Sequence, residues 1–482
     1  MANLANSKIR IVSKQVQVFK YILFDFLGSA FAWVLFNIYR KKIIESQLFG
    51  IEIPFSPNLK FYLGVLIFPI FWVSLFGLAG FYHDVFRKSR LKELSASIGF
   101  TILGCLLFFF AMLLDDYIVS YKSYYKILLS LFSLILAFTY FPRLVLTTKT
   151  IHRVHKRIIG YPSIIVGNGQ KAFDLFNELE AEEKSQGYRL LGYISISKKN
   201  PDLLEGKLPC LGKLVSIGEI VRKSNIEEVL LATDNENPET LTRIINELLP
   251  LNVQIKAIPS MYDHLSGRVK MTGILSAPLL NISFELMPPW QANLKQMIDY
   301  SFGTLALILA LPLIVALTII IKFSSKGPIL FKQERIGQYG KPFMLLKFRS
   351  MYCDAEAKGP ALSSKNDPRV TPVGRFMRKT RLDEIPNFIN VIKGDMSLVG
   401  PRPERQHYID QILQVAPHYI HLQKVKPGIT SWGQVKYGYA ENVNQMVERL
   451  KYDLLYLENM SLFVDFKIII YTLITVVRGR GV

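Results

Sequence analysis

Asp383 and Glu384 are adjacent carboxylates in the run Arg378-Lys379-Thr380-Arg381-Leu382-Asp383-Glu384-Ile385-Pro386-Asn387. Two such charges about 4 Å apart repel by about 4 kcal/mol at an effective dielectric of roughly 20. Something positive must stand beside them if both are ionised: neighbouring arginines, a helix N-terminus or a divalent ion. Mg2+ commonly takes one or two carboxylates and completes its shell with substrate phosphates. Consecutive residues of a helical turn point in different directions, so one carboxylate can hold a metal while the other attacks phosphorus. The same residues support a plainer reading. Pro386 is tolerated in the first turn of a helix over 385–392, which puts Asp383 near its N-cap. Spacing alone leaves both readings open.

The pair sits in a strongly basic segment. Between Lys322 and Arg405 stand 17 Lys and Arg against 8 Asp and Glu, a net +9. A charge run is usually a solvated or lipid-facing surface. Here, however, the cations lie among short turns: Gly327-Pro328-Ile329-Leu330-Phe331, Gln333-Glu334-Arg335-Ile336-Gly337, Lys347-Phe348-Arg349-Ser350-Met351 and Gly400-Pro401-Arg402-Pro403-Glu404. Turns of this kind fix guanidinium groups for two-pronged contact with phosphate oxygens. A pyrophosphate substrate explains both the charge and the turns.

The elements that position these residues belong to a membrane protein. The 482 residues are half hydrophobic with a net charge of +20, and the mean hydropathy is +0.24. Long uncharged apolar runs exclude a soluble nucleic-acid binder and leave membrane lipids and phosphates as the anionic partners. Runs at 21–39, 61–80, 97–114 and 126–142 each approach the ~20 residues of a span. Lysine and arginine cluster at Lys8, Arg10, Lys14 and Lys20, at Arg87, Lys88, Arg90 and Lys92, and at Arg143, Lys149, Arg153, Lys156 and Arg157, which predicts both ends inside. Arg40, Lys41 and Lys42 in the first loop run against that rule. The N-terminus has no apolar h-region with a small-residue cleavage site, so no removable signal is expected. Three cysteines without a CxxC pair suit a reducing cytosol.

Residues 161–285 change character to alternating short apolar runs and charged helical segments, an α/β domain with strands expected at 163–166, 190–194, 229–232 and 253–257. The first strand leads into Gly167-Asn168-Gly169-Gln170-Lys171-Ala172, a G-x-G-x-x-A turn of Rossmann type. The acidic ribose ligand that NAD wants after the second strand is replaced by Ser195-Ile196-Ser197-Lys198-Lys199, which favours a scaffold without NAD. A fifth apolar run covers 300–321, between Asp299 and Lys322, and contains Pro312. Proline in a helix interior removes a hydrogen bond and kinks the axis, at about 3 kcal/mol. A helix bent at Leu311-Pro312 could enter and leave the membrane on one face, and a kinked full span is the alternative.

From Gln296 onward the chain resembles the bacterial sugar transferases called monotopic phosphoglycosyl transferases, or polyprenyl glycosylphosphotransferases. The resemblance is carried by the proline-broken helix and, in order, by GPILFKQERIG, KFRSM, LDEIP, GDMSLVGPRPE and KPGITSWGQV. The layout resembles the large subgroup typified by galactose-phosphate and glucose-phosphate transferases. It implies a four-span membrane α-helical bundle, an α/β Rossmann-like domain, and a mostly α monotopic catalytic domain with a re-entrant, proline-broken helix. The corresponding boundaries are a cytoplasmic N-terminus at 1–20, the transmembrane region at 21–150, the α/β domain at 151–290, and the catalytic domain at 291–482 with the helix near 296–322. Asp383 would attack the β-phosphate of a UDP-sugar and expel UMP, Glu384 would bind Mg2+, and a polyprenyl (undecaprenyl) phosphate would accept the phosphosugar. Lys347, Arg349, Arg378, Arg402 and Glu404 fall on the motifs for phosphate and uridine-diphosphate binding, and Pro312 on the helix break. The subgroup also implies a homodimer in the bacterial inner membrane with the catalytic domain facing the cytoplasm.

Departures from the family pattern are Arg381 where Ser is common, Asn387 where Gln is common, and Ser431-Trp432-Gly433-Gln434 in place of Gly-Trp-Ala-Gln. Two rivals remain. A membrane-anchored nucleotide-sugar dehydratase or reductase would need a Tyr-x-x-x-Lys pair, absent after residue 150. A non-catalytic sensor would release UMP unchanged when Asp383 becomes Asn.

Overall fold

The computed structural model describes residues 14–113, 121–196, 202–234, 238–248, 251, 253–259, 279–282, 286–353, 355, 359, 367–438 and 440–477. Lys8, Arg10 and Lys198-Lys199 lie outside them. The chain divides into two compact units, residues 1–160 with 179–189, and residues 161–178 with 190–482.

The first unit holds α1 (Lys14–Tyr39), α2 (Leu59–Leu78), α3 (Arg90–Phe108) and α4 (Tyr121–His155). With one further helix in the second unit, five described helices are long and apolar enough to cross a membrane. The apolar run at 126–142 is only the middle of α4, because residues 147–155 continue the helix with polar and basic side chains. Arg40, Lys41 and Lys42 are not a loop. They extend α1 through a π-helical turn, Arg40–Glu45, in which Arg40 pairs with Glu45 at 3.1 Å.

Gln17, Tyr21, Asp25, Ser29, Ala32 and Phe36 recur every three or four residues and form the buried stripe of α1. Gly28 lets α1 approach α4 closely, since a Cβ there would collide with the Phe138 carbonyl. Toward the far end the stripe is apolar, with Phe36 joining Trp72, Phe76, Leu131 and Ile135. Toward the near end it is a polar ladder. Gln17 donates to Thr150 at 3.0 Å, Tyr21 meets Thr147 at 2.7 Å, and Thr147 donates to Glu93 at 2.6 Å. Arg143 and Asp25, both fully buried, are joined at 2.6 Å, each supplying the partner that a buried charged group needs.

In the second unit a six-stranded sheet has the order β3-β2-β1-β4-β5-β6. Its strands are β1 (Tyr161–Val166), β2 (Tyr188–Ser195), β3 (Cys210–Lys213), β4 (Glu228–Leu231), β5 (Gln254–Ala257) and β6 (Leu280–Asn281). β1–β4, β4–β5 and β2–β3 are parallel, and β6 runs antiparallel to β5. The four expected strands are all present. β3 and β6 are additional: β3 is as long as β4 and β5 but is an edge strand, Cys210-Leu211-Gly212-Lys213, with no apolar run to mark it, and β6 has only two residues. Residues 163–166 and all of β4 are buried, the signature of central strands covered on both faces. Ile164, Val166, Val229, Leu231 and Ile255 form the core with Ile217, Val221, Ile244 and Leu248 from the helices α6 (Ile217–Lys223) and α7 (Pro238–Leu248); α5 (Gln170–Ala181) follows β1.

The winding reverses at β1, so the crevice between the ends of β1 and β4 is where such a sheet would take a ligand. Gly167, at φ +142°, is required there because a Cβ would run into the Ala232 carbonyl. The N-terminus of α5 already has an anion. The Lys171 backbone N–H donates to the Asp234 carboxylate at 2.9 Å, and that carboxylate lies over Gly169, where a Cβ would strike it.

The remainder begins with α8 (Pro289–Ser324), a helix of 36 residues with Pro312 in its interior; the proline does not divide it into two helices, as the expected break at Leu311-Pro312 would. A hairpin follows, β7 (Leu330–Ile336) with β8 (Pro342–Phe348). Then come α9 (Pro372–Thr380), a 3-10 turn (Leu382–Glu384), α10 (Asn387–Lys393) and β9 (Ser397–Val399). The last stretch comprises α11 (Gln406–Val415), a 3-10 segment (Pro417–Lys424), β10 (Gly428–Thr430), α12 (Trp432–Lys436), α13 (Val443–Glu458) and α14 (Leu462–Val477). Both halves of α8 rest on this domain. Lys295 donates to the Val399 carbonyl at 2.9 Å and pairs with Asp465, and the Leu398 N–H donates to Asp299 at 3.0 Å. Further on, Leu317 and Ile321 pack with Phe348 and Met377.

Candidate active site

β8 presents Lys347 to one face while its neighbours Leu346 and Phe348 are buried on the other, as a two-residue period dictates. The chain reaches the carboxylates from α9. That helix ends at Arg381, a non-glycine residue in the left-handed region at φ +56°, whose N–H caps the carbonyls of Arg378 and Met377. The 3-10 turn Leu382–Glu384 follows at once, and α10 starts only at Asn387, with Pro386 as its N-cap. Asp383 is therefore not a helix cap: it lies inside the 3-10 turn, one turn earlier than the capping reading requires.

Three cations converge on Glu384. Lys347 Nζ donates to Oε1 at 2.7 Å, Arg381 Nη1 meets Oε2 at 3.2 Å, and Arg402 Nη1 stands 3.9 Å from Oε1. Arg402 comes from the turn after β9, whose backbone is clasped to β10. The Gly400 N–H donates to the Thr430 carbonyl at 3.0 Å and the Gly428 N–H to the Pro401 carbonyl at 2.9 Å. Cβ atoms at Gly400 and Gly428 would each run into the opposing backbone. GPRPE and KPGIT are thus two halves of one clasp that aims Arg402 at the pair.

The two carboxylates are electrostatically unequal. Burial would raise Glu384, but Lys347, Arg402 and Arg381 together hold it well below the usual carboxylate range. Asp383 is also buried, and burial and then the Glu384 charge push its pKa up, against the pull of Lys347, Arg378 and Arg381. Burial likewise lowers Lys347, opposed by Glu384. One carboxylate is locked as an anion in a cationic ring, and its neighbour is a destabilised, more basic anion. Among the described residues no group of three or more His, Cys, Asp and Glu could hold a metal by itself. The donors at the pair are hard carboxylate oxygens, the kind that Mg2+ takes together with substrate phosphates.

The other expected site residues separate. Arg378 donates from Nε to Ser350 Oγ at 3.0 Å and acts on Asp383 through its charge. Arg349 is buried and points elsewhere: its Nη2 donates to the carbonyls of Ser325 at 2.7 Å and Ile321 at 3.3 Å, closing the C-terminal end of α8. Glu404 is buried between Arg335, at 3.3 Å, and Arg449, at 2.6 Å. Arg449 lies 4.0 Å from Asp453, which accepts from the Gly433 N–H at 3.0 Å. Arg381 is the ring member without an expected role. Its sequence signals are its place among the arginines just before the pair and its departure from the serine common at its position.

Residues 290–479 match the family model described as bacterial sugar transferase, and residues 82–259 match one described as CoA-binding domain. A UDP-glucose:undecaprenyl-phosphate glucose-1-phosphate transferase of Caulobacter vibrioides is 38% identical over 222 residues, which are 45% of this chain and 80% of that protein. The chain belongs to the bacterial sugar transferase family. Two further relatives are similar over stretches of comparable length. A UDP-N-acetylgalactosamine-undecaprenyl-phosphate N-acetylgalactosaminephosphotransferase of Aeromonas hydrophila is 37% identical over 230 residues, 48% of this chain and 54% of that protein. A UDP-glucose:undecaprenyl-phosphate glucose-1-phosphate transferase of Escherichia coli is 34% identical over 266 residues, 54% of this chain and 57% of that protein. The chain thus spans little more than half the length of these last two relatives. The sugar-transferase match starts at Trp290, the second residue of α8, and takes in Lys347, Asp383, Glu384 and Arg402.

Proposed function

We propose that this sugar transferase moves a hexose 1-phosphate from a UDP-sugar to undecaprenyl phosphate, giving undecaprenyl diphosphosugar and UMP at the first membrane step of a polysaccharide. The observation that carries the reading is the inequality of the pair: a burial-destabilised Asp383 beside a Glu384 held by Lys347, Arg381 and Arg402. Asp383 Oδ attacks the sugar-bearing phosphorus. The bond from that phosphorus to the bridging oxygen breaks, and UMP leaves with the electron pair. In the second half, an oxygen of undecaprenyl phosphate attacks the same phosphorus and the Asp383 carboxylate departs. Bound at Glu384 together with substrate phosphates, Mg2+ would supply charge neutralisation for the leaving UMP. Lys347, Arg378 and Arg402 steady the diphosphate and the charge that develops on it.

Re-entrance of α8 is part of this proposal. Both ends of its apolar run are fastened to one domain, through Lys295 and Asp299 at the start and through Ile321 and Ser325 at the finish. Fastening at both ends to one domain supports a helix that bends at Pro312 and so enters and returns on one face, with four spans before it and a Rossmann-like domain between. The catalytic domain then faces the cytoplasm at the inner membrane, where UDP-sugars are available. The resemblance adds a homodimer, which the mass of the detergent-solubilised protein reads directly.

The relatives' names divide between glucose and N-acetylgalactosamine, so the sugar is read by a panel. Full-length protein is given UDP-glucose, UDP-galactose, UDP-N-acetylglucosamine or UDP-N-acetylgalactosamine with undecaprenyl phosphate and Mg2+, and UMP is followed. At least one donor releases UMP. Silence with every donor would sink the proposal.

A further inference from the structure

We infer that Asn390 is a positioning residue for the catalytic pair: its side-chain amide sets the register of β8 on α10 and thereby places Lys347 against Glu384. The inference rests on the function proposed above. Asn390 is 1% exposed and lies in the short helix that follows the pair. Helix propensity alone would favour alanine or leucine there, and burying an amide is costly unless its groups are paired.

They are paired with the backbone of β8. The hairpin has two strands, so β8 is bonded to β7 along one edge only. Off the other edge, the Met344 carbonyl accepts from Asn390 Nδ2 at 2.8 Å and the Leu346 N–H donates to Asn390 Oδ1 at 3.1 Å. One side chain does for these two groups what a third strand would. Asp395 accepts from the same Nδ2 at 3.3 Å, which fixes the end of the amide that faces each strand group.

Register is what the other contacts between these elements do not supply. Leu345 packs with Val391 and Met396, but apolar burial has no direction of its own. A strand rises about 3.3 Å per residue, and a slip of one residue turns every side chain to the opposite face. Lys347 adjoins Leu346, and its Nζ donates to Glu384 at 2.7 Å, a bond that a shift of about 1 Å would open. The segment from the 3-10 turn through α10 carries Glu384 and Asn390, and β8 carries Lys347 and the two groups that Asn390 holds. Bonds at Met344 and Leu346 therefore fix where the Lys347 ammonium meets the carboxylate. Asn390 acts through Lys347 and touches no substrate.

The test is a double-mutant cycle on the full-length protein, read as UMP release and referred to the folded fraction. Asn390→Leu keeps the side-chain volume and the helix but makes neither hydrogen bond, and Asn390→Ala is the second variant. Each should lower kcat about 30-fold, with KM for the UDP-sugar within about three-fold of the parent. In a Lys347→Met background, adding Asn390→Leu should cost less than about three-fold more, because the side chain through which Asn390 acts is already gone. A kcat near the parent's in N390L and N390A overturns the inference. So does a KM that rises as far as kcat falls, and so do losses that multiply in the double variant, which is what general loosening of the domain produces. Failure of the underlying reading looks different, because the parent itself then releases no UMP with any donor.

Discussion

Two turns in this chain have the geometry to meet a phosphate, and they are filled oppositely. The β1–α5 turn has the glycines and helix N-terminus of a nucleotide site, yet its Lys171 N–H donates to the chain's own carboxylate, Asp234, which also lies over Gly169. The Asp383–Glu384 turn has carboxylates of its own, yet they stand in a crown of Lys347, Arg378, Arg381 and Arg402. Turn geometry makes a phosphate site available, and the charge that already occupies it decides whether a phosphate enters. The first turn is internally neutralised. The second carries excess positive charge, which a diphosphate complements.

The largest effect should follow from removing the destabilised anion. Asp383→Asn is expected to lower UMP release by at least about 1,000-fold, as loss of a nucleophile does in other covalent enzymes, while thermal unfolding stays at or above the parent. The rise is expected because Asp383 is a carboxylate whose pKa burial raises. Burial disfavours its charged form in the folded protein, and a neutral amide relieves that cost. Next comes the crown itself. Lys347→Met leaves Glu384 short of its nearest cation and should cost about 100-fold in UMP release and about 3 kcal/mol in unfolding free energy.

A smaller effect belongs to the other turn. Gly167→Ala places a Cβ against the Ala232 carbonyl at a backbone angle L residues avoid. It should destabilise the α/β domain by about 3 kcal/mol, with UMP release per folded molecule unchanged. The smallest change is also the most direct strike at the comparison. Asp234→Ala vacates the helix N-terminus, and equilibrium dialysis with coenzyme A should show weak binding that the parent lacks, at unchanged UMP release. A parent that binds coenzyme A as tightly as D234A would break the contrast between the two turns.

Legibility in the sequence followed the reach of each interaction. Asp383 and Glu384 are neighbours, so their pairing, their repulsion and their need for cations could be read from the string. Strands β1, β2, β4 and β5 show as short apolar runs, and the helices of the first unit as long ones. Which arginine does what could not be read, because each answer lies far along the chain. Arg349 looked like a phosphate ligand beside Lys347, yet it closes α8 at Ile321 and Ser325. Glu404 looked like part of a binding loop, and its partner Arg449 comes from a helix 45 positions on. Asp234 drew no notice, since nothing near it in sequence says that it returns to Lys171, 63 residues earlier. Asp383 looked like a cap because Pro386 promised a helix start, and the left-handed Arg381 inserted a 3-10 turn first.

The central claim is that Asp383 carries the phosphosugar. Intact-mass analysis of the full-length protein mixed with Mg2+ and the active UDP-sugar, with undecaprenyl phosphate left out, tests it most directly. The account predicts one phosphohexose added per chain, mapped to Asp383, with UMP released in equal amount and the adduct discharged when undecaprenyl phosphate is added. UMP that appears only after undecaprenyl phosphate is supplied, or an adduct that persists in D383N, would contradict it.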